Sequence, residues 1–205
     1  MTSGPAVTRD VALTFDDGPH PEYTPRLLDE LAEHDIRATF FVVGNRAEQH
    51  PDLIRRIVAE GHELGHHSWT HSEPNQTSAG QLLDEVRWSI ALLEDLTGKP
   101  SSLFRPPKGQ LTWRKMRRLW ELKQTIVLWN VDPRDYAMTD AGQIRAWGES
   151  YAPRAGDILL FHDNHPHCIE AVRLLARKPE FQRDWRFCPL TTWLPQSVAT
   201  HTQPA

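Results

Sequence analysis

The 205-residue sequence lacks the features that mark several common classes of protein. Its two cysteines, Cys168 and Cys188, are too few for a disulfide framework, and we interpret them as reduced thiols. No apolar run approaches the length of a membrane span. Neither a G-x-G-x-x-G pattern nor a Walker loop occurs, so the sequence gives no support for dinucleotide or nucleotide binding.

The sequence also lacks a large excess of positive or negative charge. The formal net charge is −4 and no long basic run occurs, which argues against nucleic-acid binding and against electrostatic adhesion to membranes. The densest basic stretch, WRKMRRLW at 113–120, is typical of the solvated face of an amphipathic helix. The N-terminal MTSGPAVTRD has no basic head followed by an apolar segment, so we expect no signal peptide and a cytoplasmic location.

Strand-like and helix-like segments alternate along the chain. Strands are predicted at 11–15, 38–44, 62–68, 101–104, 124–131, 157–163 and 186–190, with helices at 24–34, 51–60, 78–96, 113–122, 139–151 and 167–178. About seven βα units in one chain of this length predict parallel strands in a closed or nearly closed (β/α) barrel. We expect one domain over 1–205, with a core of about 8–195 and a frayed tail after Pro195.

Most of the side chains that are plausible acids, bases or metal ligands of an active site fall where predicted strands end. In a barrel of parallel strands, the carboxyl ends meet on one rim, which is where such barrels carry their active sites. The rim residues are Asp16, Asp17, His66, His67, His71, Arg105, Asp132, Asp135, His162 and Asp163.

The adjacent carboxylates Asp16 and Asp17 repel each other, so by themselves they would suit a surface turn. The segment HHSWTH places His67 and His71 four residues apart, and a rim carboxylate would complete a His-His-Asp set. Three protein ligands with open positions are typical of a catalytic metal. A dication would offset the repulsion between the aspartates, leaving one to bind it and the other to accept a proton from water.

Five motifs strengthen this interpretation. TFDDGP, HSWTH, FRPPKG, VDPRDY and LLFHD occur in this order between residues 14 and 163. They resemble the motifs of the polysaccharide deacetylases, carbohydrate esterase family 4, which contain the NodB-like homology domain. The resemblance implies a distorted (β/α) barrel with fewer than eight complete units. It also implies a divalent metal, usually zinc, with cobalt or another divalent ion as alternatives.

The resemblance assigns roles to the paired aspartates and the two histidines. It implies that Asp16 is the general base and that Asp17, His67 and His71 are the metal ligands.

Further roles follow from the other three motifs. Arg105 matches the arginine that holds the catalytic aspartate, and Asp135 matches the aspartate that orients the general acid, His162. Leu160 matches an apolar residue that lines the pocket for the acetyl methyl group. The backbone N–H of Lys108 matches a donor to the oxyanion.

Some positions depart from the family pattern. Lys108 stands where an aromatic residue is common, so its side chain either faces solvent or meets an anionic group such as a uronate or a phosphate. His66 stands where asparagine is frequent and either supports the metal ligands or fills space. His165 and His167 lie close to His162 in the sequence and could bind a second ion in vitro, but we interpret them as ordinary loop histidines.

Eight tryptophans are many for this length. Trp69 and Trp113 adjoin the motifs, and we expect them to stack on sugar rings. Core packing is predicted for Trp88, Trp120, Trp129 and Trp147.

The resemblance predicts a metal-dependent hydrolase that removes N-acetyl groups from sugar units of a chitooligosaccharide, peptidoglycan or exopolysaccharide. Its partner would be a carbohydrate, without nucleic acid or a membrane span. One alternative is a deacetylase or deformylase of a lipid-linked or anionic sugar, or an O-acetyl esterase. An alternative of another class is a non-catalytic glycan-binding module on the same barrel.

Overall fold

The strands form one parallel sheet. The computed structural model describes residues 1–194, so the tail predicted to fray after Pro195 lies outside the described residues. The strands within 1–194 are β1 (Asp10–Asp16), β2 (Thr39–Val42), β3 (Glu63–His66), β4 (Leu103–Phe104), β5 (Thr125–Ile126), β6 (Ile158–His162) and β7 (Arg186–Phe187). Their order is β5-β4-β3-β2-β1-β6, and β7 pairs with the start of β1.

Helices connect the strands. Those within 1–194 are α1 (Tyr23–Glu33), α2 (Gly44–Gln49), α3 (Pro51–Ala59), α4 (Ala79–Thr97), α5 (Trp113–Glu121), α6 (Ala141–Ser150), α7 (His167–Ala176) and α8 (Pro179–Arg183). Helix α4 begins at a capping box in which Ser78 and Gln81 exchange side-chain to backbone hydrogen bonds. Across residues 1–194, no helix combines the length and the apolar character that crossing a membrane requires.

The barrel is closed by an irregular segment. The strand predicted at 124–131 is regular only over β5, after which the Val127 N–H still donates to the Phe104 carbonyl of β4. Val131 then forms an isolated parallel bridge to Leu159 of β6. The segment thus changes partner from one end of the sheet to the other, which explains why the strand is shorter than predicted. The prediction of a distorted (β/α) barrel is confirmed.

Side chains along β1 alternate between the outer and the inner face of the sheet, and this alternation determines which of them face the inside of the barrel. Leu13 and Phe15 belong to the larger apolar cluster, which packs the sheet against α1 and α7. Ala12 belongs to a smaller cluster that includes inner-facing residues of β2, β4 and β6. Because successive side chains of a strand point to opposite faces, Thr14 and Asp16 share the inner face with Ala12. Asp16 therefore lies on the inner face at the carboxyl end of β1.

Two tryptophans do not lie in the core. Trp88 is 56% exposed and Trp120 is 51% exposed, so their predicted core packing is wrong. Each ring meets another tryptophan edge-on instead, Trp88 with Trp69 and Trp120 with Trp113. Trp147 does pack against the larger apolar cluster. Apolar residues on α4 and α5 therefore include positions on the outer side of each helix.

Candidate active site

A buried ion pair lies at the centre of the rim. Arg105 is fully buried, and its Nη1 atom donates to Asp16 Oδ1 and to Thr14 Oγ1, both at 2.7 Å. Its guanidinium also lies 4.1 Å from the ring centre of Phe41. Burial raises the pKa of Asp16, and the charge of Arg105 opposes that rise. Since removing one partner would leave a buried unpaired charge, the loss would cost about 3–5 kcal/mol.

Asp17, His67 and His71 converge beside this pair. Asp17 Oδ1 lies 3.3 Å from His71 Nε2 and 3.6 Å from His67 Nε2. This carboxylate oxygen is buried and accepts no hydrogen bond from residues 1–194. His67 Nδ1 donates to the Arg105 carbonyl at 2.7 Å, which leaves Nε2 as the nitrogen that faces Asp17. Burial lowers the pKa of His67 to about 3, so the ring is neutral and able to bind a cation.

These three groups fit a divalent cation. Two imidazoles and one carboxylate are a ligand set that zinc and similar ions accept, and they leave further positions open. The unpartnered oxygen of Asp17 is the strongest sign, because a buried acceptor without a donor is costly unless an ion or a water satisfies it.

The loop after β3 is held by a residue that the sequence interpretation missed. Glu85 of α4 accepts hydrogen bonds from the Trp69 and Thr70 N–H groups and from the Thr70 hydroxyl. Ser68 and His71 have φ angles of 63° and 55°, in the left-handed region that is unfavourable for these residues. Glu85 therefore compensates a strained loop that aims His71. An acidic residue among the buried positions of α4 was the available signal.

Asp135 and His162 form a second pair of side chains on the same rim. Asp135 is fully buried, and its carboxylate accepts from His162 Nδ1 and from the His162 N–H, both at 2.8 Å. Burial disfavours the imidazolium of His162, but the hydrogen bond and charge of Asp135 outweigh it and raise the pKa to about 9. His162 is therefore protonated at neutral pH. It pairs in register with Asp16 because β6 adjoins β1.

These groups share one cavity of about 420 Å³, which is large enough for a sugar unit. Its walls are formed by Asp16, Asp17, His67, His71, Lys108, Trp129, Asp132, Tyr136, Leu160 and His162.

The predicted sugar-stacking residues are a different set from those that the structure brings to the cavity. Trp69 packs beside Gly44 and meets Trp88, and Trp113 is 67% exposed, so neither lines the cavity. Trp129 packs against the smaller apolar cluster, as predicted, and it also lines the cavity. Its contact with the cavity was missed because it lies in the irregular segment after β5, where no periodic pattern indicates which face a residue occupies.

Two departures from the family pattern are explained by their contacts. Lys108 lines the cavity, but its ammonium is paired with Glu73, and its φ of 57° is left-handed. His66 is fully buried against Phe104, and its Nε2 lies 2.8 Å from Gln124 Oε1. Burial lowers its pKa to about 4. His66 thus fills space in the core, since its described contacts include none of the proposed metal ligands.

Asp163 explains the glycine that follows the paired aspartates. It is fully buried and accepts a hydrogen bond from the hydroxyl of Thr24, which lies in the first turn of α1. Burial, together with the nearby charge of Asp17, raises the pKa of Asp163 to about 7. A Cβ atom at Gly18 would lie 2.1 Å from this carboxylate. Only glycine therefore fits at position 18.

Comparison with known proteins agrees with this geometry. Residues 3–126 match the family model described as polysaccharide deacetylase. The chain belongs to the polysaccharide deacetylase family. The matched region contains Asp16, Asp17, His67, His71 and Arg105, whereas Asp135 and His162 lie beyond it.

Relatives of this chain include deacetylases named for peptidoglycan and for chitooligosaccharides. A chitooligosaccharide deacetylase from a Bradyrhizobium species is 39% identical over 78% of this chain and 73% of its own length. A peptidoglycan-N-acetylglucosamine deacetylase from Bacillus cereus is 35% identical over 78% of this chain, which spans 58% of that relative. The solved structure of the Bc1960 peptidoglycan N-acetylglucosamine deacetylase superposes with a TM-score of 0.85 at 30% identity, covering 94% of this chain and 91% of that one.

Proposed function

We propose that this protein is a metal-dependent deacetylase that hydrolyses the N-acetyl group of N-acetylated sugar units in an oligo- or polysaccharide. The observation that supports it most is that an Arg105-bound carboxylate, Asp16, and an imidazole bonded to Asp135, His162, both line one cavity. Amide hydrolysis requires a base for the water and an acid for the leaving nitrogen. The described residues offer both, beside a ligand set that fits a dication.

The proposed role of the cation is electrophilic. Asp17, His67 and His71 would hold a divalent cation such as zinc, which would supply a Lewis acid to polarise the acetyl carbonyl and to lower the pKa of the attacking water.

Asp16 is the proposed general base. Its carboxylate takes a proton from the water as the water attacks the acetyl carbon. Burial raises the pKa of Asp16 and so makes the carboxylate a stronger base, while the bond from Arg105 Nη1 fixes its direction and favours its ionised form. A base in this position contributes about a hundredfold to ten-thousandfold in rate.

His162 is the proposed general acid. Its imidazolium donates a proton to the sugar nitrogen as the C–N bond breaks, and Asp135 holds the ring through Nδ1 so that Nε2 is the donor. We assign stabilisation of the oxyanion to the backbone N–H of Lys108, and contact with the acetyl methyl group to Leu160, because both residues line the cavity. The aromatic walls, Trp129 and Tyr136, are suited to pack against the sugar ring.

The substrate preference that we propose is a neutral N-acetylhexosamine unit. Besides the proposed acid His162, the cationic side chain among the described residues of the cavity wall is that of Lys108, and its pairing with Glu73 neutralises the charge that an anionic sugar would need. The relatives include peptidoglycan and chitooligosaccharide deacetylases, so both glycans belong in the first assay.

The test measures acetate release from chitooligosaccharides, peptidoglycan fragments and an aryl acetate. We expect release from an N-acetylated glycan, loss of release on chelation, and recovery when zinc is restored. Preference for the aryl acetate would support an esterase instead. A glycan that binds the zinc-loaded protein and is never deacetylated would contradict the proposal and support a binding module.

A further inference from the structure

A second cluster of metal-ligating side chains lies beyond the first. Asp135, His162 and His165 each offer one ligand atom, and these atoms all lie within 4.8 Å of one another. Asp135 Oδ1 is 2.8 Å from His162 Nδ1, and Asp135 Oδ2 is 3.6 Å from His165 Nε2. This cluster shares no residue with Asp17 and its two histidine partners.

His165 is the unusual member of the second cluster. Both of its ring nitrogens are buried, and neither has a hydrogen-bond partner among residues 1–194. A hydrogen bond from Nε2 to Asp135 would satisfy only one of them. Burial lowers the pKa of His165, which leaves the ring neutral with a free lone pair. A buried neutral imidazole without partners, next to a carboxylate, is the arrangement of a ligand rather than of an ordinary loop histidine.

We propose that Asp135, His162 and His165 form a second, inhibitory site for a zinc-class dication. Two imidazoles and one carboxylate are ligands that zinc accepts. The cation would enter beside His162 and His165, whose side chains are 13% and 21% exposed. The inhibitory part of this inference rests on the proposed function, whereas the binding part does not.

The geometry allows this site with small side-chain movements. Ligand atoms of a tetrahedral zinc site lie about 3.4 Å apart, given bonds of about 2.1 Å. The distance from Asp135 Oδ1 to His162 Nδ1, 2.8 Å, is shorter than that value, and the distance from Asp135 Oδ2 to His165 Nε2, 3.6 Å, is longer. The three ligand atoms lie within 4.8 Å of one another, so side-chain rotations would have to bring them to the tetrahedral separation.

Binding at this site would remove the general acid. The cation takes the lone pair of His162 Nδ1, whose proton is released to solvent, and it replaces the hydrogen bond to Asp135. His162 then retains one proton, on Nε2, as a neutral ligand. A neutral ring is a much weaker acid than the imidazolium. Occupancy should therefore stop turnover without disturbing Asp17 or its histidines.

The second site should be weaker than the first. A cation there must displace a proton and break an existing hydrogen bond of 2.8 Å, whereas Asp17 Oδ1 has no donor to displace. We expect half-occupancy of the second site to need at least tenfold more free zinc.

The test is a zinc titration by equilibrium dialysis with elemental analysis of the full chain. Wild type should bind two equivalents, His165→Gln should bind only the tight one, and His71→Ala should lose the tight one and keep the weak one. The matched control is His167→Gln, because His167 Nε2 lies 3.3 Å from the Met138 carbonyl and takes no part in the cluster. It should bind two equivalents. The tight equivalent retained by His165→Gln also shows that this variant is folded.

An assay of acetate release then tests inhibition. Excess zinc should inhibit wild type and His167→Gln, and at least tenfold more zinc should be needed to inhibit His165→Gln. One equivalent bound by wild type, or two by His165→Gln, would overturn the second site. Two equivalents bound at saturation, with no turnover when only the tight equivalent is present, would instead contradict the proposed function and leave the second site standing.

Discussion

The rim holds two clusters with the same composition, one carboxylate and two imidazoles, yet their hydrogen bonds are arranged in opposite ways. In the first cluster, Asp17 Oδ1 is the atom without a donor, and His67 is already oriented by a backbone carbonyl. In the second, Asp135 is saturated by donors and His165 is the group without partners.

This difference separates two kinds of chemistry. A carboxylate oxygen that no donor among residues 1–194 satisfies attracts a cation, whereas a carboxylate that is bonded to His162 Nδ1 raises the pKa of that ring and makes it a proton donor. Side-chain identity alone does not distinguish the two outcomes. The neighbouring donors do, and they come from the strand ends that the barrel brings together.

Removing a ligand of the first cluster should have the largest effect. We expect His71→Ala to lose the tightly bound zinc and to reduce acetate release to background, because Asp17 and His67 alone form an incomplete site. Elemental analysis and the acetate assay measure the two losses together. His167→Gln is the control histidine variant and should keep both properties. Full turnover by metal-free His71→Ala would contradict the proposal that the first cluster holds a metal needed for turnover.

Removing the carboxylate of the second cluster should have a smaller and different effect. Asp135→Asn should keep the tight zinc and lower kcat by about a hundredfold. Asp135 raises the pKa of His162 to about 9, so His162 carries its proton at neutral pH and loses it as the pH rises through that value. Without the charge, the pKa falls, and the alkaline limb of the kcat/KM profile should move to lower pH. If the alkaline limb of the profile stayed at the same pH, the assignment of His162 as the general acid would be contradicted.

Loosening the loop that carries His71 should weaken zinc binding without altering the acid. Glu85→Gln replaces an oxygen that accepts from backbone N–H groups, so we expect zinc affinity to fall about tenfold to a hundredfold. The alkaline limb set by His162 should stay in place. Asp84→Asn, on the exposed side of the same helix, is the control. Equal zinc affinity in both variants would contradict the role given to Glu85.

The smallest effect is expected at Lys108. Its ammonium is half-exposed and paired with Glu73, so Lys108→Ala should change kcat/KM on a neutral chitooligosaccharide by about fivefold or less. Glu73→Gln frees the ammonium and should improve kcat/KM on an anionic glycan relative to a neutral one. A large loss with Lys108→Ala on the neutral substrate would show that the side chain contacts the sugar directly.

Strand ends were predictable from the sequence, and so was the rim that carries Asp16, Arg105 and His162. An apolar run that stops at a polar residue marks the carboxyl end of a strand, and parallel strands bring these ends together. The roles of these residues are proposals, whereas the structure shows Asp16 and His162 in the wall of one cavity and Arg105 fully buried and bonded to Asp16.

Other features needed three-dimensional information. Trp129 follows β5 in a segment that changes strand partners, so no periodic pattern of apolar residues in the sequence predicts that it lines the cavity. Trp113 adjoins a motif in sequence, yet its ring lies on the outer surface. Glu85 and His165 act through contacts with distant loops, and the hydrogen bonds that they make or lack cannot be deduced from spacing.

The paired aspartates provide the most direct test of the account. Asp16→Asn and Asp17→Asn are the same chemical change at neighbouring residues, and zinc content and acetate release should be measured for both. We predict that Asp16→Asn keeps its tight zinc and loses turnover, because Arg105 already satisfies the first carboxylate, while Asp17→Asn loses the zinc as well. Retained zinc in Asp17→Asn, or full turnover by Asp16→Asn, would contradict the division of roles between them.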